Sequence, residues 1–161
     1  MKRESGLLMP VFSLPSPYGI GGFGEEAYNF IDFLSNAKMK VWEILPLVQT
    51  GYGNSPYASV CSTSISVYYI SPKTLFDMGL INKRELRGAK YKGKLVDYGF
   101  LYNNRISLLR KAFSRFDKND SEFLTFVKGK KAFDFALFTA LKIFNGQKPF
   151  YEFEDNYKFR N

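Results

Sequence analysis

The chain has 161 residues, 45% of them hydrophobic and 24% charged, enough for one globular domain that buries roughly two thirds of its unfolded surface and too apolar for wholesale disorder. It contains no histidine and a single cysteine, Cys61, which removes Ser-His-Asp and Cys-His catalysis, histidine-based zinc sites and any internal disulfide, and fits a reducing compartment. The formal net charge of +8 is uneven: residues 1–80 hold five Lys/Arg and six Asp/Glu, and residues 81–161 hold eighteen and nine.

In chain order, Leu7 to Leu14 is an almost continuously apolar run of the kind a parallel strand buried on both faces requires, although Pro10 removes a ladder donor. The run is short and has no small-residue cleavage site, and no window approaches the ~18 apolar residues of a membrane span. The expectation is a soluble, unsecreted, cytoplasmic chain with no membrane partner. Glu25 to Ala37 places Ala27, Phe30, Ile31 and Leu34 at helical spacing, with Glu25 and Glu26 in the first turn, where the helix dipole favours negative charge. Val41 to Leu47 is a second apolar run, and strand, helix and strand in this order imply a right-handed parallel unit.

Residues 48–64 carry Gly51, Gly53, Asn54, Pro56 and six Ser/Thr, the composition of an ordered loop. Ile65 to Ile70 reads as extended. From Lys73 the period turns helical. Leu75 to Leu80 is short, while Tyr98 to Phe116 sets Leu101, Tyr102, Arg105, Leu108, Leu109, Ala112, Phe113 and Phe116 on one stripe. Ser121 to Phe144 is helical, with Gly129 a break between two pieces. No further strand is expected in the second half. Its scattered cations raise nucleic acid as a partner, but no recognition motif accompanies them, and solvated helix faces look the same.

Three constellations could carry chemistry. Gly19, Gly21, Gly22 and Gly24 satisfy G-x-G-x-x-G and open a helix, yet the first glycine does not follow the strand directly and no acidic residue ends VWEILPL, which argues against a dinucleotide site. Glycosyl chemistry needs two carboxylates ~5 Å or ~6.5–9.5 Å apart. Most of the fifteen carboxylates lie on predicted helix surfaces; Glu43, inside an apolar strand, hints at burial and is read as tied into a buried hydrogen-bond network before a direct role with substrate. The stretch Gly51-Tyr52-Gly53-Asn54-Ser55-Pro56-Tyr57 follows the second strand, where parallel α/β folds build their sites. Its tyrosines suit the apolar face and hydroxyl rim of a sugar, and a plain turn with surface tyrosines would look the same.

Several segments taken together resemble one family: R-x-S-G-L-L at Arg3 to Leu8, S-L-P-S-P-Y-G-I-G at Ser13 to Gly21, W-E-I-L-P-L at Trp42 to Leu47, and T-G-Y-G-N-S-P-Y at Thr50 to Tyr57. Later blocks agree, at Tyr69 to Leu80, Asp134 to Lys142 and Gly146 to Phe153. The family is that of the 4-α-glucanotransferases (amylomaltase or disproportionating enzyme, glycoside hydrolase family seventy-seven). The resemblance implies a (β/α)8 barrel enzyme that cleaves an α-1,4-glucan, holds one part covalently on an aspartate and transfers it with retention, with a glutamate as acid/base, a second aspartate gripping sugar hydroxyls, and no cofactor or metal. No position here matches the motifs of those three carboxylates. By the same resemblance Ser55 and Tyr57 match loop residues that line the sugar site beside the nucleophile, and Tyr52 matches an aromatic associated with glucan binding near it. The sequence departs from the family pattern at Ser62 to Val67, at Glu43, which stands for a glutamine, and at Phe150 and Phe153, which stand for tryptophans. Length agrees with an incomplete barrel, since closure takes about 250 residues and eight strands. The expected architecture is therefore α/β: first βα units of a (β/α)8 TIM barrel with the glucan-site loop over residues 1–75, then a helical subdomain over 76–161. The expected partners are an α-1,4-glucan or maltooligosaccharide and the missing C-terminal part of the same enzyme; the alternative is a non-catalytic carbohydrate-binding or basic nucleic-acid-binding module.

Overall fold

The computed structural model describes residues 3–51, 53–59 and 61–159, and the chain divides into two compact units, Met1–Phe116 and Asp117–Asn161. In the first unit, β1 (Gly6–Leu8) pairs in parallel with β2 (Val41–Glu43), with Gly6 opposite Val41, Leu7 opposite Trp42 and Leu8 opposite Glu43. The ladder runs on through Lys40 N–H to Ser5 O and Met9 N–H to Glu43 O, both 2.9 Å. Pro10 has no N–H to continue it, and the expected strand becomes a 3-10 turn at Val11–Ser13. The indole of Trp42 closes the junction by donating to Met9 O at 2.8 Å.

Expected burial on both faces of these strands is not found. Among the described residues no third strand joins the sheet, and Leu8, Val41 and Ile44 remain 39–52% exposed. Glu43 is exposed as well, which corrects the expectation that it sits in a buried network: with only two strands paired, the face that carries it is uncovered. The parallel pairing itself is as expected. Ile65 to Ile70 is likewise not extended throughout, because Ser66 caps a 3-10 turn at Val67–Tyr69 by accepting from Tyr68 N–H.

Between the strands runs α1 (Glu25–Asn36). It ends in a left-handed residue, Lys38 at φ 57°, with Lys38 N–H bonded to Ser35 O and Met39 N–H to Leu34 O, both 2.9 Å. This pairing satisfies the orphan carbonyls of the last turn and reverses the chain toward β2. Three helices follow: α2 (Pro72–Asp77), capped by Ser71, α3 (Lys83–Gly88), opened by an Asn82–Glu85 capping box, and α4 (Tyr98–Arg115), capped by Asp97.

The stripe on α4 decides the packing of this unit. Leu101, fully buried, joins Val11, Leu14, Ile20, Ala27, Tyr68 and Tyr69 in one apolar cluster. About two and three turns further along, Leu108 and Ala112 join Tyr18, Leu75, Ile81 and Ala89 in a second. Burying one such leucine contributes roughly 1.5–3 kcal/mol, so α4 anchors both clusters. The stripe is narrower than its sequence suggests, since Tyr102 and Phe113 are at least half exposed. The expected boundary at 75/76 falls inside α2, and α4 packs with residues on both sides of it.

In the second unit, α5 (Ser121–Val127) and α6 (Lys130–Phe144) are separated at Gly129, as the sequence predicts. A 3-10 turn at Phe150–Glu152 and α7 (Asp155–Lys158) follow. Lys142 Nζ donates to the carbonyls of Gln147 and Lys148 at 2.8 and 3.1 Å, and a cation near the last turn complements the helix dipole. Phe153 is buried, and Phe144 meets Tyr157 edge to face at 5.9 Å.

Candidate functional site

The glycine-rich turn at 19–24 is spent on packing. Gly21 N–H donates to Phe12 O at 3.1 Å and Phe23 N–H to Tyr69 O at 2.9 Å, while Gly22 N–H donates to Glu26 Oε1 at 3.1 Å. A Cβ on Gly21 would run into the Val11 carbonyl and Leu14, and one on Gly22 into the Tyr69 carbonyl. The glycines are needed because the turn threads between two other segments, and these three amides are not free to cradle a phosphate.

The loop after β2 is a built structure. Antiparallel bridges Val48–Ile65 and Thr50–Ser59 close its stem. At its tip Gly51 N–H donates to Ala58 O at 2.8 Å and Ala58 N–H to Ser55 O at 3.0 Å; Gly53 and Asn54 take left-handed backbone angles, φ 92° and 56°, which glycine and asparagine tolerate. Ser55 Oγ accepts from Tyr57 N–H at 3.3 Å. Ser55 and Tyr57 thus share one turn, and Tyr57 is 75% exposed. Tyr52, the third expected binding residue, lies outside the described residues. Gln49 ties the two arms: its carbonyl accepts from Ser59 Oγ at 3.0 Å and its Oε1 from Ser66 Oγ at 3.3 Å. Beside them the Cys61 thiol is lowered to about 7 by the Thr63 side chain and backbone.

What the arrangement can do follows from its side chains. Residues 48–65 include no Asp or Glu, so the loop has no carboxylate to act as nucleophile or general acid toward a glycosidic bond. It offers a flat aromatic face, a hydroxyl and backbone carbonyls, which are binding groups. A cleft of about 490 Å³ lies elsewhere, between α3 and α4, and is lined by Arg84, Glu85, Asn103, Ser107 and Lys111 among others.

One residue of consequence has no role assigned from sequence: Arg105, which the helical spacing sets on the α4 stripe with Leu101 and Leu108. It is 4% exposed. Its Nη1 donates to Tyr68 O at 3.0 Å and Ile70 O at 2.8 Å, and its Nη2 to Tyr18 O at 3.0 Å. Burial pushes its pKa down to about 10, so it stays charged at neutral pH. The signal was present: Arg105 is the lone cation in the buried spacing Leu101, Arg105, Leu108, Ala112.

The family model described as 4-alpha-glucanotransferase matches residues 9–161. The chain belongs to that family. A 4-alpha-glucanotransferase of Clostridium butyricum is 40% identical over 83% of this chain and 28% of its own length, and one of Aquifex aeolicus is 39% identical over 98% and 33%. Among solved structures, the amylomaltase from Streptococcus agalactiae in complex with acarbose matches with a TM-score of 0.88 at 38% identity, over 96% of this chain and 32% of that one. The chain therefore spans about a third or less of the length of these members of the 4-alpha-glucanotransferase family. The described chain is a mixed α/β structure with few strands, and no described helix is long and apolar enough to cross a membrane.

Proposed function

We propose that this chain is the N-terminal part of a 4-α-glucanotransferase, supplying one wall of its glucan site while the reacting carboxylates come from the rest of the enzyme. The observation that carries this reading is position. The T-G-Y-G-N-S-P-Y loop lies past the C-terminal end of β2, with six residues between Glu43 and Thr50, in a chain that matches an amylomaltase structure along almost its whole length. In this reading β1, α1 and β2 are the first units of a (β/α)8 barrel, within residues 1–75, and residues 76–161 form a helical subdomain. The relative's complex with acarbose supports an oligosaccharide as the ligand of the loop.

Each group then has a role set by its chemistry. Tyr57 covers the apolar face of a glucose unit, Ser55 hydrogen-bonds a sugar hydroxyl, and Tyr52 adds a second aromatic contact. Transfer of an α-1,4-glucan segment with retention runs through a covalent glycosyl-enzyme on a carboxylate, and no residue of the loop can form it. Binding contacts alone do not supply the about 8–23 kcal/mol of barrier lowering typical of enzymes. The isolated chain should leave maltotriose intact while maltoheptaose shifts the NMR signals of Ser55 and Tyr57. Glucose release proportional to added chain would refute the division of labour; unshifted loop signals at saturating sugar would refute the binding role. Family membership does not favour the alternative of a non-catalytic carbohydrate-binding or nucleic-acid-binding module.

A further inference from the structure

We propose that Arg105 is a positioning residue for the loop that carries Ser55 and Tyr57, so that helix α4 sets the shape of the glucan wall. The inference rests on the binding role proposed for that loop. Its basis is where the three guanidinium bonds go. A buried arginine without a carboxylate in hydrogen-bond contact carries a desolvation cost that an apolar residue at the same place in the stripe would avoid. What the guanidinium adds is a rigid fork that reaches three carbonyls at once: Tyr68 O within the 3-10 turn after the loop, Ile70 O just past it, and Tyr18 O in the turn before α1.

From the clamped segment the connection to the loop is continuous. Ser66, which caps that 3-10 turn, donates its N–H to Leu47 O at 2.8 Å and its hydroxyl to Gln49 Oε1 at 3.3 Å. Gln49 O accepts from Ser59 Oγ at 3.0 Å, next to the Thr50–Ser59 bridge that closes the tip. The tip itself is open to solvent, with Tyr57 75% exposed. Its placement therefore depends on its two stems. One leaves β2, and the other ends in the segment held by Arg105.

The test is amide hydrogen exchange by NMR on the 161-residue chain, comparing the parent with Arg105→Lys and Arg105→Met. Lysine keeps the charge but loses the planar fork; methionine keeps the apolar stem. The informative amides are those of Gly51, Ala58 and Ser66, each hydrogen-bonded within the loop or to its stem, with the amides of α1 as internal reference. Both variants should speed the three loop amides at least about tenfold and leave α1 unchanged, and should weaken maltoheptaose binding about fivefold or more. Loop amides that exchange at the parent rate would overturn the proposal, and so would a uniform acceleration that includes α1, because Arg105 would then be a general stability residue. Should methionine prevent folding, the lysine variant decides. If the parent chain shows no response to maltoheptaose, the glucan reading fails, and the exchange pattern still judges Arg105 by itself.

Discussion

Tyr57 presents three quarters of its surface to solvent, so its removal takes little from the fold and much from any ligand that stacks on it. Tyr57→Ala should weaken maltoheptaose binding about tenfold, in line with the ~0.5–1.5 kcal/mol of an aromatic contact, with the melting temperature of the chain unmoved; calorimetric titration beside a thermal melt checks both. Glu85 is the opposite case. Its carboxylate accepts from Arg115 Nη1 and Nη2 at 2.6 and 2.9 Å and from Asn82 N–H at 2.8 Å, and the guanidinium, first, holds its pKa down at about 2. A carboxylate depressed in the folded state adds stability above its ordinary pKa near 4.5, and that contribution fades as pH falls toward 2. Thermal melts at pH 6 and pH 2.5 should therefore show a larger drop for the parent than for Glu85→Gln. Equal drops would mean that the pair contributes nothing. At this scale the sequence indicated an ordered loop beyond a strand, as found among its described residues, and misjudged the burial of Glu43. Exposure of Glu43 is decided by what lies across the sheet from it, which a linear pattern does not contain, whereas Arg105 already stood on the buried stripe of α4 and only its carbonyl partners were hidden.

Helix boundaries were largely legible because their signals are local: acidic first-turn residues for α1 and a glycine between α5 and α6. The short helix α3 was missed although Asn82 and Glu85 have capping-box spacing, since six residues are too few for a period to emerge. Strand lengths were overestimated, because apolar runs continue past the point where Pro10 ends the ladder. Two substitutions probe the turns between elements. Lys38 carries a left-handed backbone that costs an L-residue roughly 1–2 kcal/mol, and Lys38→Gly should raise stability by about 0.5–1 kcal/mol after glycine's extra freedom in the unfolded chain is set against it. Gly21→Ala should lower stability by at least about 1–3 kcal/mol, because its Cβ would meet the Val11 carbonyl and crowding of this kind is relieved only by moving backbone. Urea titration followed by circular dichroism measures both, and a destabilised Lys38→Gly would show that its αL geometry carries no strain.

The whole molecule leaves Leu8 and Val41 on the paired strands of the first unit and Ile44 just past them, and separately Phe126, Phe144 and Phe159 in the second, at 39–74% exposure. Two paired strands with free edges are a template for further pairing, so the isolated chain should self-associate and scatter as more than one 18.5 kDa chain in light scattering after gel filtration. A monomer with a single sharp calorimetric transition would show that these surfaces tolerate water. Trp42 makes the matter observable from within. It is the chain's one tryptophan, its indole is bonded across the strand junction to Met9 O and lies 4.9 Å from the Phe30 ring. Excited at the red edge of its absorption, where tyrosine is silent, it is a built-in fluorophore at the seam of the sheet. A shift in its emission colour would record the moment that seam opens or acquires a neighbour, without any label being attached.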